Sequence, residues 1–575
     1  MEGSVQRKKI PYGISNFHDL IFQGYYFVDK TAFIETLEGF PEKYLFFLRP
    51  RRFGKSLFVG MLRQYYDRAV AADFDRLFGD LHIGRNPTQL RSSYHVLSFD
   101  FSGVGITSDE ATLEGFRNRL DQGFKDFLHR YRLDVDYDVA ASPENMMGSF
   151  LSGLAKQIDG KLYVTIDEYD HFTSELLGYR SESFESLVAR SGWYRKFFEV
   201  LKTGTTTIID RIFITGVNPF TLDSLTSGFN IGSDLTLNPR LHDMMGFTEA
   251  EVARLFADLG CAGDELDRLM PMLRQYYDGY RFSLKAPESL YNSDMVLYFA
   301  KDYLDTRSMP DSLIDVNLAS SYSRIRRYVE LGDREGNLRF IRELLEGEDL
   351  RMALTTKFML VEQFQTDDFK SRLFYMGLLT LVDRDMAMYR VRVPNYVVSE
   401  LYFEFFKAIL RDESDYDVDA VTIGTAVADL AKKGDIGPLV RLTETMLGRL
   451  ANKDFRRFDE KYVKLVMLTW LFMSRIYLVK SEYEVEGGLI DMALLPRANV
   501  VAPRHAIIEL KYLATQDDGD EALASKVAQA REQLARYSTS DELRSLPNLM
   551  RFVVVFRGAK CVHAEEVRDT EVRHA

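Results

Sequence analysis

The sequence predicts a multidomain α/β protein: an N-terminal parallel sheet, a helical middle region, and a second α/β domain at the C-terminus. Three observations predict it. Short apolar runs alternate with amphipathic stretches up to Thr215, as parallel β/α units do. From about Gly246 the texture turns helical. Beyond an acidic stretch, Asp412–Asp419, strand-like runs return. At 575 residues the chain is also too long for a single hydrophobic core.

The elements follow in order. Tyr44–Leu48, His95–Phe101, Lys161–Asp167 and Arg211–Thr215 are rich in β-branched or aromatic residues, and polar or turn residues follow each. A parallel sheet binds ligands beyond the C-terminal ends of its strands, so the residues just after these runs matter most. Thr248-Glu249-Ala250-Glu251 is a capping box opening a helix, with Gly260 as its stop. Leu378–Val382 and Met388–Val393 read as a hairpin turning at Asp383-Arg384-Asp385, and Pro394-Asn395 opens the next helix. Helix, hairpin and helix make a winged-helix-like module, more readily a packing lid than a DNA reader. Asp412–Asp419, acidic and aperiodic, marks a boundary. Tyr477–Val485, Leu489–Leu494, Ala506–Lys511 and Arg551–Phe556 then read as strands, with a helix through Gln533 between the last two. The expected division is 1–245, 246–411 and 412–575, without internal repeats.

Net charge is -13, which excludes a uniformly basic nucleic-acid coat but not a local basic groove. Cys261 and Cys561 make neither a disulfide framework nor a zinc quartet, which suits a reducing cytoplasm. Met1–Lys9 is polar and basic and predicts no signal peptide. Val463–Val479 is the most membrane-like stretch. Lys464 and Arg475 interrupt it, so it reads as a buried helix and no membrane partner is expected.

Leu48-Arg49-Pro50-Arg51-Arg52-Phe53-Gly54-Lys55-Ser56 follows a strand and precedes the helical run Leu57–Tyr66. That is the context of a P-loop, in which backbone N–H groups and a helix N-terminus cradle phosphate. Lys55 would reach the β- and γ-phosphates of ATP, and Ser56 would bind Mg²⁺. Arg49 stands where the usual first glycine would be. Leu162–Ile166 is an apolar strand ending in Asp167-Glu168, as a Walker B strand does. Asp167 would hold the Mg²⁺ and Glu168 would polarise the attacking water. Thr215 and Asn218, after the next strand, are candidate γ-phosphate sensors. The bland alternatives are a surface helix start and an acidic loop.

Several motifs together resemble the bacterial AAA-ATPase-like family. They are Tyr25-Tyr26-Phe27-Val28-Asp29-Lys30-Thr31, the Arg49–Ser56 loop, Asp167–Asp170, Leu225-Thr226-Ser227-Gly228-Phe229-Asn230 and Tyr277-Asp278-Gly279-Tyr280-Arg281-Phe282. The resemblance implies an arginine-rich loop in place of the glycine-rich one. It also implies a C-terminal PD-(D/E)xK nuclease-like domain, often joined to such ATPases.

Asp491 lies early in one C-terminal strand, and Glu509-Leu510-Lys511 closes another. An Asp and a Glu on adjacent strands can share one divalent cation, and strand alternation puts Glu509 and Lys511 on one face. Such a metal would activate water, with Lys511 positioning or deprotonating it. Glu484 is a further candidate carboxylate, with Glu482 and Glu486 as competitors. Charged residues on strands also serve simply to discourage edge aggregation. Ser481-Glu482-Tyr483-Glu484, Gly488-Leu489-Ile490-Asp491, Ile507–Lys511 and the later Gln533 resemble the family's nuclease domain in order and spacing. Leu489 replaces the usual arginine, and Val463 stands where a histidine is expected after Tyr462.

The fold class is then a P-loop NTPase parallel sheet, a helical and winged-helix-like middle, and a restriction-endonuclease-like α/β domain. The expected activity is ATP hydrolysis coupled to Mg²⁺-dependent nucleic-acid cleavage. The resemblance puts DNA ahead of RNA, although no residue separates them, and it leaves room for a homo-oligomer. A signalling or scaffold ATPase with a vestigial nuclease fold is the alternative. A transcription regulator acting through the winged-helix-like module is a third reading.

Overall fold

The computed structural model describes residues 8–189, 191–219, 229–315, 325–347, 350–356, 364–454, 458–497, 500–514, 516–517 and 519–568. Leu225-Thr226-Ser227-Gly228 therefore lies outside the described residues. The chain divides into two compact units. One comprises Met1–Arg307, Ser312–Asn337 and Leu350–Tyr396; the other comprises Ser308–Asp311, Leu338–Asp349 and Val397–Ala575.

In the first unit the predicted apolar runs form β1 (Tyr44–Leu48), β2 (His95–Asp100), β3 (Leu162–Asp167) and β4 (Ile209–Gly216). With the short β5 (Ser233–Asp234) they make a parallel sheet in the order β2-β3-β4-β1-β5. The register sets Asp100 beside Asp167 and Leu48 beside Gly216, so the loops after β1, β2, β3 and β4 emerge at one end. Helix α1 (Lys55–Tyr66) leaves that end, and α2 (Asp109–Tyr131) packs on β2. Gly123 permits that packing: a Cβ there would lie 2.8 Å from the Phe99 ring. Phe99, Phe101, Phe116, Phe172, Tyr194 and Phe197 fill the core with edge-on aromatic contacts, the geometry that ring quadrupoles favour.

Helix α3 (Glu249–Asp258) begins at the predicted capping box. The Thr248 N–H donates to Glu251 at 2.8 Å, and Thr248 Oγ1 accepts from the Glu251 N–H at 3.3 Å. Lys30 reinforces the cap by donating to Glu251 at 2.7 Å and to the Asp243 carbonyl at 2.8 Å. The middle region's strands are β6 (Leu350–Met352), β7 (Thr380–Asp385) and β8 (Met388–Arg392), antiparallel in the order β6-β8-β7. The hairpin turn differs from expectation. Asp383-Arg384-Asp385 is strand, and the chain reverses at Met386, whose φ is 52°. Cross-strand ion pairs, Arg390 with Asp383 and Arg351 with Asp385, carry the ladder outward past the residues read as the turn.

The second unit is a five-stranded mixed sheet covered by helices. Its strands are β9 (Tyr477–Val485), β10 (Gly488–Pro496), β11 (His505–Leu513), β12 (Leu549–Arg557) and β13 (Lys560–Glu566). Their order is β13-β12-β11-β10-β9, with only the β11–β12 pair parallel. The acidic stretch Asp412–Asp419 is only partly a connection: Asp412, Glu413 and Ser414 end the helix Tyr396–Ser414, and Asp419 caps the helix Ala420–Lys433, accepting from the Thr422 N–H at 2.9 Å. Helix α4 (Glu460–Ser474) is buried from Val463 through Phe472. The run Val463–Val479 is thus a core helix that stops at Arg475 and continues as β9. No described helix is long and apolar enough to cross a membrane. Helix α5 (Asp520–Tyr537) packs on β11 and β12.

Candidate functional site

The loop after β1 enters α1 through two consecutive turns of backbone strain: Arg52 has φ 70° and Gly54 φ 89°. Left-handed residues in such a loop turn successive N–H groups to one side, forming an anion-binding concavity at a helix start. A cavity of ≈ 440 Å³ opens there, lined by Arg51, Arg52, Phe53, Gly54, Lys55, Ser56 and Glu168 together with Tyr26, Met245 and Phe247. Lys55 is buried, donates to the Pro50 carbonyl at 3.2 Å, and lies 3.8 Å from Glu168. A cation held by one carbonyl and one carboxylate next to this concavity fits the terminal phosphates of a nucleotide.

The acidic end is shaped by electrostatics. Burial, then the adjoining Glu168 carboxylate, pushes Asp167 up to about 6, while a hydrogen bond from Ser56 and the Lys55 charge pull it down. A crowded carboxylate paired with a hydroxyl is a donor set suited to Mg²⁺. For Glu168, burial works to raise the pKa, but Lys55 and Arg51 outweigh it and hold the carboxyl below its ordinary value. Glu168 also has φ 51°, in a sparsely populated backbone region.

The remaining candidates sit elsewhere. Arg49 is 1% exposed, and its guanidinium donates to the carbonyls of Leu48, Thr236, Leu241 and His242 at 2.8 to 3.2 Å. It is sandwiched between the rings of Phe47 and Phe282 at 4.2 and 4.3 Å. Burial, then the Arg49 cation, pushes the His242 imidazole down to about 3. Thr215 donates to the Phe47 carbonyl at 2.8 Å. The Asn218 N–H donates to Asp170 at 2.7 Å, and its side-chain oxygen has no hydrogen-bond partner among the described residues. Arg52 pairs with Asp294 at 3.3 Å, and the Ser293 hydroxyl donates to the Arg52 carbonyl at 3.1 Å. Sequence reading did not single out Ser293 or Asp294, because they lie far along the chain in a helix start of ordinary composition.

In the second unit the predicted trio meets. The Leu510 N–H donates to Asp491 at 2.9 Å, which fixes β10 against β11. Lys511 donates to Glu509 at 2.8 Å and lies 4.0 Å from Asp491. Glu509 is buried, and its Oε2 has no hydrogen-bond partner among the described residues. Burial, then the Asp491 charge, pushes Glu509 up to about 7 despite Lys511. Two crowded carboxylates, one with an orphaned oxygen, fit a hard divalent cation. No group of three His, Cys, Asp or Glu residues is assembled for a metal among the described residues, so the donor set stops at two carboxylates.

Two further residues join them. Lys464 of α4 pairs with Glu482 and lies 3.8 Å from Asp491. Glu460, one turn earlier, accepts from the Tyr512 N–H at 3.1 Å. Glu482, with φ 50°, is the β9 carboxylate that reaches Lys464. Glu484 is exposed opposite Leu489. A lysine inside an otherwise apolar helix was the signal for Lys464. Gln533 bonds to Tyr537, whose hydroxyl donates to the Leu489 carbonyl at 2.7 Å.

A phosphate-type loop on a parallel sheet and a carboxylate–lysine trio on a mixed sheet define a nucleotide-site module and a nuclease-like module. Residues 11–226 match the model of a predicted AAA-ATPase family, and residues 458–566 match that of the PD-(D/E)XK nuclease superfamily. The chain thus carries a predicted AAA-ATPase-like domain and a C-terminal PD-(D/E)XK nuclease-superfamily domain. It is also 29% identical over 528 residues to a protein of Azotobacter chroococcum mcd 1 described as "Uncharacterized protein in vnfD 5'region". That alignment covers 88% of this chain and 90% of the relative.

Proposed function

We propose that the protein hydrolyses ATP at the Arg49–Ser56 loop and that nucleotide state controls Mg²⁺-dependent cleavage of nucleic acid, DNA ahead of RNA, at Asp491, Glu509 and Lys511. In this reading 1–245 is the ATPase domain, 246–411 its lid and 412–575 the cleaving part, acting in the cytoplasm. The observation that carries it is the buried Glu509 Oε2, left without a partner beside a second carboxylate.

At the first site Lys55 binds the terminal phosphates, while Ser56 and Asp167 hold Mg²⁺. Glu168 Oε1, kept ionised by Lys55 and Arg51, accepts a proton from water. At the second site Asp491 and Glu509 hold the metal, which when bound lowers the pKa of a coordinated water and offsets charge on the phosphate. Lys511 Nζ, held 2.8 Å from Glu509, would position the attacking water beside the two carboxylates. Incubating the full chain with duplex DNA, single-stranded DNA and RNA under Mg²⁺ or Mn²⁺, with and without ATP, tests the proposal. Metal-dependent cleavage that changes with ATP is expected.

One observation favours a second reading, a scaffold ATPase whose nuclease-like fold binds a partner. Lys464 already places an ammonium 3.8 Å from Asp491, where it neutralises charge that a metal would otherwise meet. Absence of both Mn²⁺ uptake and cleavage would establish that reading in place of the first.

A further inference from the structure

A second cavity, a polar groove of ≈ 630 Å³, runs between α1 and α2 over β2 and β3. Ser98 and Thr165 are joined at its floor by a hydroxyl hydrogen bond of 2.8 Å. Ser56, Asp100 and Asp167 line it at the end where the nucleotide loop begins, and Arg63, Arg119 and Arg130 line its helical walls.

The acidic groups along the groove are largely occupied. Asp67 pairs with Arg130 and accepts from the Tyr131 hydroxyl at 2.7 Å and the Ala69 N–H at 2.8 Å. Asp126 accepts from Gln122 at 2.7 Å, and Asp100 from the Ser102 N–H at 2.8 Å. His18 at the rim faces Asp19 at 3.3 Å. By contrast, neither Arg63 nor Arg119 has a side-chain hydrogen bond or ion pair among the described residues. The guanidinium of Arg119 lies over Gly103, where a Cβ would come within 1.6 Å of Nη2. Burial, then the like charge of Arg130, pushes the Arg63 guanidinium down, with Asp67 and Asp126 opposing the shift.

We propose that this groove is a second anion site, built to hold a phosphate-bearing small molecule of nucleotide size beside the ATP site. Planar guanidinium forks match phosphate oxygens in pairs, which selects phosphate over a simple halide. The volume lies within the range of small-molecule sites, roughly 300–1,000 Å³. Ser56 and Asp167 line the groove as well as ending the nucleotide loop. Occupancy therefore alters the field at the Mg²⁺ ligands and changes ATP turnover. Only this coupling rests on the ATP-site reading; the anion site itself does not.

The test uses the full chain carrying Lys55→Ala, titrated calorimetrically with inorganic pyrophosphate without Mg²⁺. One uptake event is expected. Arg63→Gln with Arg119→Gln should weaken it by about tenfold or more, the loss of two charge-assisted contacts. Asp126→Asn should tighten it by about two- to threefold, because a like charge at the rim is gone. No uptake, or an uptake indifferent to both arginines, overturns the proposal. Parent-level ATP affinity in Lys55→Ala would instead overturn the ATP-site reading and leave the pyrophosphate result to stand alone.

Discussion

Glu509 is expected to make the stability of the second unit fall as pH rises. Its carboxyl is 2% exposed and is displaced from 4.5 to about 7 by burial first and Asp491 second. At about 1.4 kcal/mol per pH unit, ionising it in the native state costs on the order of 3 kcal/mol. Below pH 4.5 both native and unfolded chains hold the proton, and nothing is lost. Between 4.5 and about 7 the unfolded chain releases the proton while the native state retains it, so stability declines throughout that window. Above it the loss is complete. The two tryptophans, Trp193 and Trp470, allow a clean measurement. Trp470 is fully buried in α4 of the second unit, so Trp193→Phe leaves one reporter for that unit. Urea unfolding followed at Trp470 should show the decline between pH 5 and pH 8. Glu509→Gln should abolish the decline, because the amide has no proton to release. Mn²⁺ at a hundredfold excess over its Kd should return about 2.7 kcal/mol at pH 8 in the parent and not in Glu509→Gln. A pH-independent parent, or a Glu509→Gln variant that keeps the parent's decline, would refute the reasoning.

Three further outcomes are expected. Lys55→Ala loses ATP binding with the circular dichroism melt unchanged, since one polar contact to the Pro50 carbonyl and one to Glu168 are all it gives up. Glu168→Gln binds ATP with parent affinity but releases phosphate at least about a hundredfold more slowly in single-turnover assays, as removal of a general base does. Lys511→Ala keeps or tightens Mn²⁺ affinity by calorimetry, because a neighbouring cation is gone, while cleavage falls; loss of metal affinity would place Lys511 in the binding set instead.

Much of this architecture was legible because burial writes itself as periodicity. Four of the five strands of the first sheet and four of the five in the second were visible as β-branched or aromatic runs, and Thr248 announced its capping box directly; the two-residue β5 was too short to leave a pattern. β13 was not visible: Lys560, His563, Glu565 and Glu566 dilute its alternation, and it earns its place by pairing with β12. The hairpin turn was misplaced because Asp383 and Asp385 resemble turn residues until their arginine partners across the strands are known. Strand alternation put Glu509 and Lys511 on one face, but it was the resemblance of their flanks to the nuclease family that set them and Asp491 apart from ordinary edge charges. Glu482 could not be preferred over Glu484, because its left-handed backbone breaks the alternation on which that choice depended. Glu460 and Lys464 belong to the same cluster, yet they come from a helix whose docking no local pattern encodes.

Arg49 gives the nucleotide loop a property that glycine could not. A glycine-rich loop is soft and must be ordered by its ligand, which subtracts from affinity. Here the root of the loop is bolted from behind by a guanidinium held between two rings and donating to four carbonyls. Its cradle is therefore already set when empty. Nucleotide association should be limited by encounter rather than by rearrangement, with little dependence of the on-rate on solvent viscosity beyond simple diffusion. Loosening the bolt with Arg49→Lys should convert it into a slow, two-phase process.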